Sequence, residues 1–242
     1  MSIIYEDDAL LILDKPAGIT VNNSDTTKGQ QTVQDFVERK FSDNSSWLMA
    51  DKESDFYKRA GIVHRIDKET SGILIIAKNP DAFEYLQAQF KERKVQKTYL
   101  ALVHGLVSPR DGEIVVPVGR LPWNRKMFGV IAEGREAVTN YNTISNYKFQ
   151  NKKVNEDLTF LELNPKTGRT HQIRVHLKHI NRPIFSDFLY AGRKTARDDR
   201  KLLNRVFLHA HKISFFHPVT HELISFESPL PEELSNFIKN LS

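Results

Sequence analysis

Residues 61–78 constrain the fold of this chain more than any other segment. An apolar run over residues 73–77, bounded by Gly72 and by the Asn79-Pro80 pair, predicts a buried core strand. The turn-rich stretch before this strand places one carboxylate, Asp67, between the basic residues Arg65 and Lys68. An acid in a turn that leads into a rigid strand is well placed to act as a reactive group. A surface carboxylate offset by the adjacent cations fits the same pattern, and the pattern alone leaves both interpretations open.

The composition is that of an ordinary globular protein, with 242 residues, 40% hydrophobic and 27% charged, which fits one large domain or two small ones. The absence of cysteine excludes disulfides and thiolate metal sites. No apolar run approaches the ~20 residues of a membrane span. The acidic N-terminus reads directly into folded sequence, with neither a signal nor a transit peptide, so a cytoplasmic location is expected.

The charge is unevenly distributed along the chain. Residues 1–57 carry 5 Lys and Arg against 11 Asp and Glu, a net charge of −6. Residues 164–212 carry 12 against 3, a net charge of +9. This asymmetry favours one face that meets a polyanion, although a basic face that only contacts solvent fits the same numbers.

The remaining patterns predict many short strands and few helices. Helices are predicted over residues 32–40, from Pro80 with Asn79 as its N-cap, and from Thr170 to about residue 181. Residues 42–57 are polar and broken in pattern, which predicts a mobile loop. Runs of strands with a few helices favour an α+β fold around a large, mainly antiparallel sheet.

Four segments resemble the motifs of one enzyme family. Residues 64–72 (HRIDKETSG) are similar to the signature motif of the RluA family of RNA pseudouridine synthases, in which the aspartate is catalytic. Three further segments resemble other motifs of that family in the same order: residues 14–18 (DKPAG), 97–105 (KTYLALVHG) and 165–177 (PKTGRTHQIRVHL). The resemblance covers almost the whole chain.

The resemblance implies a fold and an activity. The family fold is a large, mainly antiparallel mixed sheet bent around a central cleft with flanking helices. We expect one catalytic domain over residues 1–242, without the N-terminal S4 domain of many relatives. The implied enzyme is an isomerase that converts uridine to pseudouridine in ribosomal or transfer RNA. That reaction breaks the N1–C1′ bond, turns the uracil and rejoins it through C5, so neither a cofactor nor a metal is expected.

The resemblance also assigns five site residues. Asp67 would attack C1′ or take the C2′ proton, and the sequence leaves both routes open. Arg174 would pair with Asp67, Tyr99 would stack on the target base, and Ile173 would line the uracil pocket. Arg65 would fill the space left when the uridine flips out of its stack. Phosphate binding by either arginine, and core packing of Tyr99 and Ile173, are the simpler alternatives.

The expected partner is RNA, either a 23S-type ribosomal RNA or a transfer RNA stem-loop, bound by a monomer. Candidate phosphate contacts are Lys15, Arg169, Lys178, Arg182 and Arg193. The alternative function is a non-catalytic RNA-binding or ribosome assembly factor that keeps the fold for docking.

Two further features of the sequence concern metal binding and the family pattern. His171, His176 and His179 lie on one predicted helix, but their spacing favours hydrogen-bonded or RNA-contacting histidines over a metal site. Ser186-Asp187 stands where the family usually has Gly-Asp, which puts the geometry of that loop in doubt rather than the activity.

Overall fold

The computed structural model describes residues 1–24, 27–150 and 155–241. Backbone contacts divide the chain into two compact units. The first unit comprises residues 1–96 and 212–228, and the second comprises residues 97–211 and 229–242. The expectation of a single catalytic domain stays a prediction.

The described residues form eleven strands and seven helices. In chain order the strands are β1 (Ser2–Glu6), β2 (Leu10–Lys15), β3 (Ser71–Ala77), β4 (Gln96–His104), β5 (Asp111–Val115), β6 (Val118–Leu121), β7 (Asn124–Val130), β8 (Val138–Gln150), β9 (Asn155–Pro165), β10 (Leu208–Phe216) and β11 (Leu223–Glu227). The helices are α1 (Val33–Lys40), α2 (Ser45–Leu48), α3 (Asp55–Lys58), α4 (Pro80–Lys91), α5 (Gln172–His179), α6 (Arg193–Asp199) and α7 (Glu232–Lys239).

In the first unit, β2 pairs antiparallel with both β1 and β3. Leu10 lies opposite Ala77 and Lys15 lies opposite Gly72, so the register covers all of β3 except its first residue. Every residue of β3 is buried, which confirms the predicted core strand. A strand without polar alternation is buried on both of its faces, and the apolar sequence of β3 satisfies that requirement.

Both helices predicted in the first unit begin where their capping residues stand. The Thr32 hydroxyl accepts a hydrogen bond from the Asp35 amide, and the Asp35 carboxylate accepts one from the Thr32 amide, which forms a capping box at α1. The Asn79 carboxamide oxygen accepts from the Ala82 amide at the start of α4. These caps satisfy backbone donors that the first helical turn leaves unpaired.

The prediction of a mobile loop over residues 42–57 is wrong, because α2 and α3 form there. This mainly polar segment contains two buried aromatic residues, Trp47 and Phe56, which are 6% and 2% exposed. Their rings lie 5.3 Å apart edge to face, and Phe56 also contacts Phe83 of α4 at 5.8 Å. Tertiary packing of the two rings therefore orders a segment that lacks helical periodicity.

In the second unit, β9 pairs antiparallel with β4 and β8, and β8 pairs with β5. Strands β6 and β7 form a separate antiparallel hairpin. An apolar core joins this sheet to α5 and α7, with Leu102, Leu161, Leu177 and Phe185 among its fully buried members. Strand β10 begins in the second unit and ends in the first, where it pairs with β11.

Within each unit, every strand pairing whose register is defined is antiparallel. With its few flanking helices, this architecture confirms the predicted α+β class. Within the described part of the chain, no helix is both long enough and apolar enough to cross a membrane.

A glycine fixes the approach to β3 and generates a first prediction. Gly61 has a φ of +66°, and a Cβ at this position would lie 2.1 Å from the Ala77 carbonyl oxygen. Gly61→Ala is therefore expected to lower the free energy of unfolding by ~2–5 kcal/mol, through left-handed strain and a backbone clash. Gly29→Ala is the matched control, since Gly29 has a φ of +78° but nothing within 4 Å of a built Cβ. Equal melting temperatures for the two variants would show that a Cβ at position 61 does not clash with the Ala77 carbonyl oxygen.

Candidate active site

Asp67 lies in an irregular loop of the first unit that runs from the Ile62–Ile76 bridge to the start of β3. Ile66 is buried, Asp67 is half-buried and Arg65 is exposed. The Thr70 amide donates to the Asp67 carbonyl oxygen at 3.1 Å and closes the turn into β3. The apolar neighbour thus anchors the loop while the carboxylate keeps access to the surface.

The ammonium group of Lys15 fixes the far side of this turn. Its Nζ donates to the carbonyl oxygens of Pro16, Ile19 and Lys68 at 2.9, 2.9 and 3.1 Å, and the residue is 0% exposed. The Gly18 amide also donates to the Lys68 carbonyl, at 2.8 Å. The sequence-based assignment of Lys15 as a phosphate contact is therefore wrong. Its charge is buried and holds the first motif against the Asp67 loop.

His64 fixes the near side of the loop. Its Nε2 accepts a hydrogen bond from the Ile75 amide at 3.0 Å, so the ring is neutral with its proton on Nδ1. The ring also stacks on Phe90 of α4, with centroids 4.8 Å apart. The residues on both sides of Asp67 are thus tied to β3, to α4 and to the first motif.

Tyr99 and Ile173 both pack in the apolar core of the second unit. Tyr99 lies on β4 opposite Leu163 of β9, and Ile173 is the second residue of α5. Ile173 is a buried member of the apolar core, and Tyr99 packs against that core while remaining partly exposed. Both residues therefore contribute to core packing, and their roles at a uracil ring stay predictions.

Lys97 lies two residues before Tyr99, on the same face of β4. Its Nζ donates to the Thr167 carbonyl at 3.3 Å, and burial lowers the pKa of this amine to about 8. Lys97 is therefore an amine of lowered pKa close in sequence to Tyr99, a predicted site residue. The sequence motifs gave Lys97 no role of its own.

The start of α5 differs from the prediction, because Thr170 does not cap it. His171 is the N-cap residue, with a φ of +57° and no side-chain cap bond. The buried Gln172 side chain orders the approach instead. Its Oε1 accepts from the Thr167 hydroxyl and the Arg169 amide, and its Nε2 donates to the Val138 carbonyl. A long-range amide network thus replaces the local cap and fixes the turn that precedes Arg174.

Arg174 is held by Asp187 in a buried, bidentate ion pair. Its Nε donates to Asp187 Oδ2 at 2.7 Å and its second terminal nitrogen to Oδ1 at 2.9 Å. The two side chains are 8% and 0% exposed. The guanidinium also lies 4.9 Å from the centroid of the Tyr190 ring. Asp187, which the sequence analysis placed outside the catalytic motifs, therefore orients Arg174. The pairing of Arg174 with Asp67 stays a prediction.

The phenol of Tyr190 extends this cluster. Its hydroxyl accepts from the Phe128 amide of β7 at 3.1 Å and lies 2.8 Å from His171 Nδ1. His176 is buried with Nε2 against the Val116 carbonyl, and burial lowers its pKa to about 4. These two histidines are engaged by protein groups, and the described residues contain no cluster of His, Cys, Asp and Glu that could hold a metal.

A second buried ion cluster supports the loop that carries Asp187. His104 Nδ1 lies 3.1 Å from Glu156 and its Nε2 lies 3.1 Å from Asp199. Burial alone would lower the pKa of His104, but the hydrogen bonds to Asp199 and Glu156 outweigh it and raise the pKa to about 9. Asp199 also accepts from the Ser186 amide at 3.1 Å. The imidazolium is thus tied to the residue that precedes Asp187.

The structure brings the predicted residues together in two sets. Arg65 and Asp67 share the loop of the first unit, whereas Tyr99, Ile173 and Arg174 belong to the second unit. Sequence reasoning missed the supporting residues, and only the match of Ser186-Asp187 to the Gly-Asp pair of the family drew attention to the loop that holds Asp187.

Comparison with known proteins agrees with the arrangement of motifs. The RNA pseudouridylate synthase family model matches residues 9–179. An uncharacterized RNA pseudouridine synthase of Bacillus subtilis (strain 168) is 38% identical over 241 residues, which cover 100% of this chain and 73% of that protein. Ribosomal large subunit pseudouridine synthase D of Neisseria meningitidis serogroup B is 36% identical over 248 residues, which cover 100% of this chain and 61% of that protein.

Solved structures agree on the fold. Human RNA Pseudouridylate Synthase Domain Containing 1 superposes with a TM-score of 0.72 at 24% identity, covering 98% of this chain and 86% of that one. The fold and the matched motifs define an isomerase that acts on uridine in RNA. The chain belongs to the RNA pseudouridylate synthase family, of the RluA type.

The ion pair of Arg174 and Asp187 generates a second prediction. Arg174→Ala leaves a fully buried carboxylate without its cation, so it is expected to lower the free energy of unfolding by ~3–5 kcal/mol. The double variant Arg174→Ala/Asp187→Asn is expected to be more stable than the single Arg174→Ala variant, because the orphaned charge is gone. Chemical denaturation of the four proteins at one pH measures the coupling, and strictly additive losses would show that the two residues act independently.

The His104 cluster generates a prediction about pH. The folded-state pKa of His104 is raised from 6.5 to about 9, so its contribution to stability is fully present below pH 6.5 and is lost as the pH rises through about 9. The loss is expected to be on the order of 3 kcal/mol. Melting temperatures between pH 6 and pH 10 measure it, with His104→Gln as the control that has no charge to lose. Parallel curves of melting temperature against pH for the two proteins would show that the His104 imidazolium does not contribute to stability.

Proposed function

We propose that this protein isomerises specific uridines of large-subunit ribosomal RNA to pseudouridine, with Asp67 as the catalytic carboxylate. The observation that carries the proposal is the fixed loop around Asp67. Its flanks are held by the buried ammonium of Lys15 and by the His64 ring, yet Asp67 itself remains half-buried. A carboxylate that must meet one sugar carbon benefits from such positioning, because a reactive geometry then needs no further ordering.

The chemistry requires a single carboxylate at the sugar. In the proposed reaction Asp67 either attacks C1′ or removes the C2′ proton, and both routes end with the N1–C1′ bond broken. The uracil then turns within its pocket and C5 bonds to C1′, which releases the Asp67 carboxylate in the first route and is followed by return of the C2′ proton in the second. The proton lost from C5 is balanced by the proton that N1 gains. Tyr99 is proposed to stack on the base during this turn and Ile173 to line its pocket. Arg174 is proposed to favour the ionised form of Asp67.

The uridine must leave its stack before Asp67 can reach C1′. Arg65 lies two residues from Asp67, is exposed, and makes no hydrogen bond or ion pair with any other described residue. A guanidinium is planar and stacks on neighbouring bases as readily as it binds phosphate. Arg65 is therefore proposed to occupy the space that the flipped uridine vacates.

The ribosomal target is inferred from relatives. The Neisseria meningitidis protein that aligns with the whole of this chain is named for the large ribosomal subunit, as are several other matching bacterial proteins. The basic segment over residues 164–212 suits an RNA of that size, because phosphate contacts supply much of the affinity for a structured polyanion. A non-catalytic assembly factor with the same fold is the competing function.

The Asp67→Asn variant distinguishes a pseudouridine synthase from a non-catalytic assembly factor. Asp67→Asn keeps the shape of the side chain but can neither attack C1′ nor take up a proton. Pseudouridine formation is expected to fall to background, while the affinity for RNA stays within about three-fold because no phosphate contact is lost. The measurement combines pseudouridine mapping of unmodified large-subunit ribosomal RNA transcribed in vitro with filter-binding of the same RNA.

The matched control is Glu84→Gln, which neutralises an exposed carboxylate on α4 and is expected to leave turnover unchanged. Full activity of Asp67→Asn would remove Asp67 from the chemistry. A wild-type protein that binds the RNA but forms no pseudouridine would favour the assembly factor.

A further inference from the structure

Phe188 is an exposed aromatic residue on a structured turn of the second unit. It is 60% exposed, and its neighbour Leu189 is 36% exposed, although the residues on both sides of this pair, Asp187 and Tyr190, are buried. The two adjacent apolar side chains are therefore available for contact with a ligand.

Hydrogen bonds make this turn rigid. The Asp187 carboxylate accepts from the Leu189 amide at 3.0 Å and from the Tyr190 amide at 3.2 Å, while it also binds Arg174. The Ala191 amide donates to the Asp187 carbonyl at 2.9 Å. The Asp187 carboxylate, which also binds Arg174, therefore fixes the backbone on both sides of Phe188. The Phe188 ring is held in a solvent-exposed position as a result.

Cations follow the ring closely in the sequence. Arg193, Lys194 and Arg197 are exposed, and the i+3 and i+4 spacings place them on one face of α6. Among the residues that the structure describes, none forms a hydrogen bond or an ion pair with these three side chains. The two acids of α6 are engaged elsewhere, since Asp198 pairs with Lys201 and Asp199 with His104.

The spacing of ring and cations suits one extended ligand. At most about 17 Å of chain separates Phe188 from Arg193, and the Ala191–Asp187 hydrogen bond shortens that span. Exposed aromatic rings combined with unpaired cations are how proteins bind unpaired nucleotides, through stacking on the bases and charge on the phosphates.

We propose that Phe188 and the cationic face of α6 form a platform for an unpaired RNA segment. A base stacks on the Phe188 ring, and Arg193, Lys194 and Arg197 bind the phosphates that follow. This inference rests on the proposed function for its ligand, RNA, and adds a binding surface outside the uracil pocket. It also gives Asp187 a second role, because its carboxylate orders both Arg174 and the turn that presents the ring.

The stacking contact is tested with a fluorescent oligouridylate of about 12 nucleotides, within the ~4–16 nucleotide footprint of single-strand binding folds. Phe188→Ala is expected to weaken binding about 5- to 150-fold, the usual range for loss of one stacked base. Phe188→Trp is expected to bind as the wild type does. A blunt RNA duplex of equal length is expected to bind both variants alike, because its bases are already stacked.

The phosphate contacts are tested by salt dependence. Arg193→Gln and Arg197→Gln are each expected to reduce the slope of log Kd against log salt by about 0.7, whereas Phe188→Ala leaves the slope unchanged. Lys201→Gln is the matched control, since Lys201 lies two residues after the end of α6 and is already paired with Asp198. Unchanged slopes for both arginine variants, or equal loss of affinity for oligouridylate and duplex in Phe188→Ala, would overturn the platform.

The outcomes separate this platform from the proposed function. If the wild type forms pseudouridine in ribosomal RNA while Phe188→Ala binds oligouridylate as the wild type does, only the platform is wrong. If the wild type forms no pseudouridine while Phe188→Ala loses affinity for oligouridylate, only the proposed enzymatic function is wrong. Melting curves for each variant confirm that the exposed substitutions leave the fold intact.

Discussion

The buried ion pair between Arg174 and Asp187 is the interaction on which the site of the second unit depends. A guanidinium and a carboxylate that are both shielded from water persist only when each satisfies the other, and here two parallel hydrogen bonds do so. The remaining lone pairs of Asp187 accept two backbone amides, so the same carboxylate orders the turn that follows it. Tyr190 is placed against the guanidinium as a consequence and reaches β7 through its hydroxyl.

In the first unit, the buried ammonium of Lys15 has a comparable role. The buried ammonium of Lys15 donates hydrogen bonds to three backbone carbonyl oxygens. Because one of these oxygens belongs to Lys68, the next residue after Asp67, the buried charge couples β2 to the loop of the catalytic motif. In the first unit a buried cation therefore positions the loop that carries Asp67, and in the second unit the buried carboxylate of Asp187 positions the turn that carries Phe188.

Local signals in the sequence explain which elements were predicted correctly. The caps at Thr32 and Asn79 and the apolar run of β3 act over a few residues, so their consequences follow from the neighbouring sequence alone. The segment with α2 and α3 was missed because Trp47 and Phe56 order it through packing against each other. The start of α5 was misplaced at Thr170 because Gln172, with partners more than thirty residues away in the chain, fixes that turn.

The sequence by itself determined the class of the fold, the four motifs and hence the family, along with the residue proposed for the chemistry. Its motif order and strand pattern carry that information because they depend on residue types at short spacings. Only the tertiary structure decided that Lys15 is buried rather than bound to phosphate, that Asp187 holds Arg174, and that Phe188 is held in solvent. These facts depend on which distant groups share a low-dielectric interior, where an unpaired charge is too unstable to persist, and no local pattern specifies such partners.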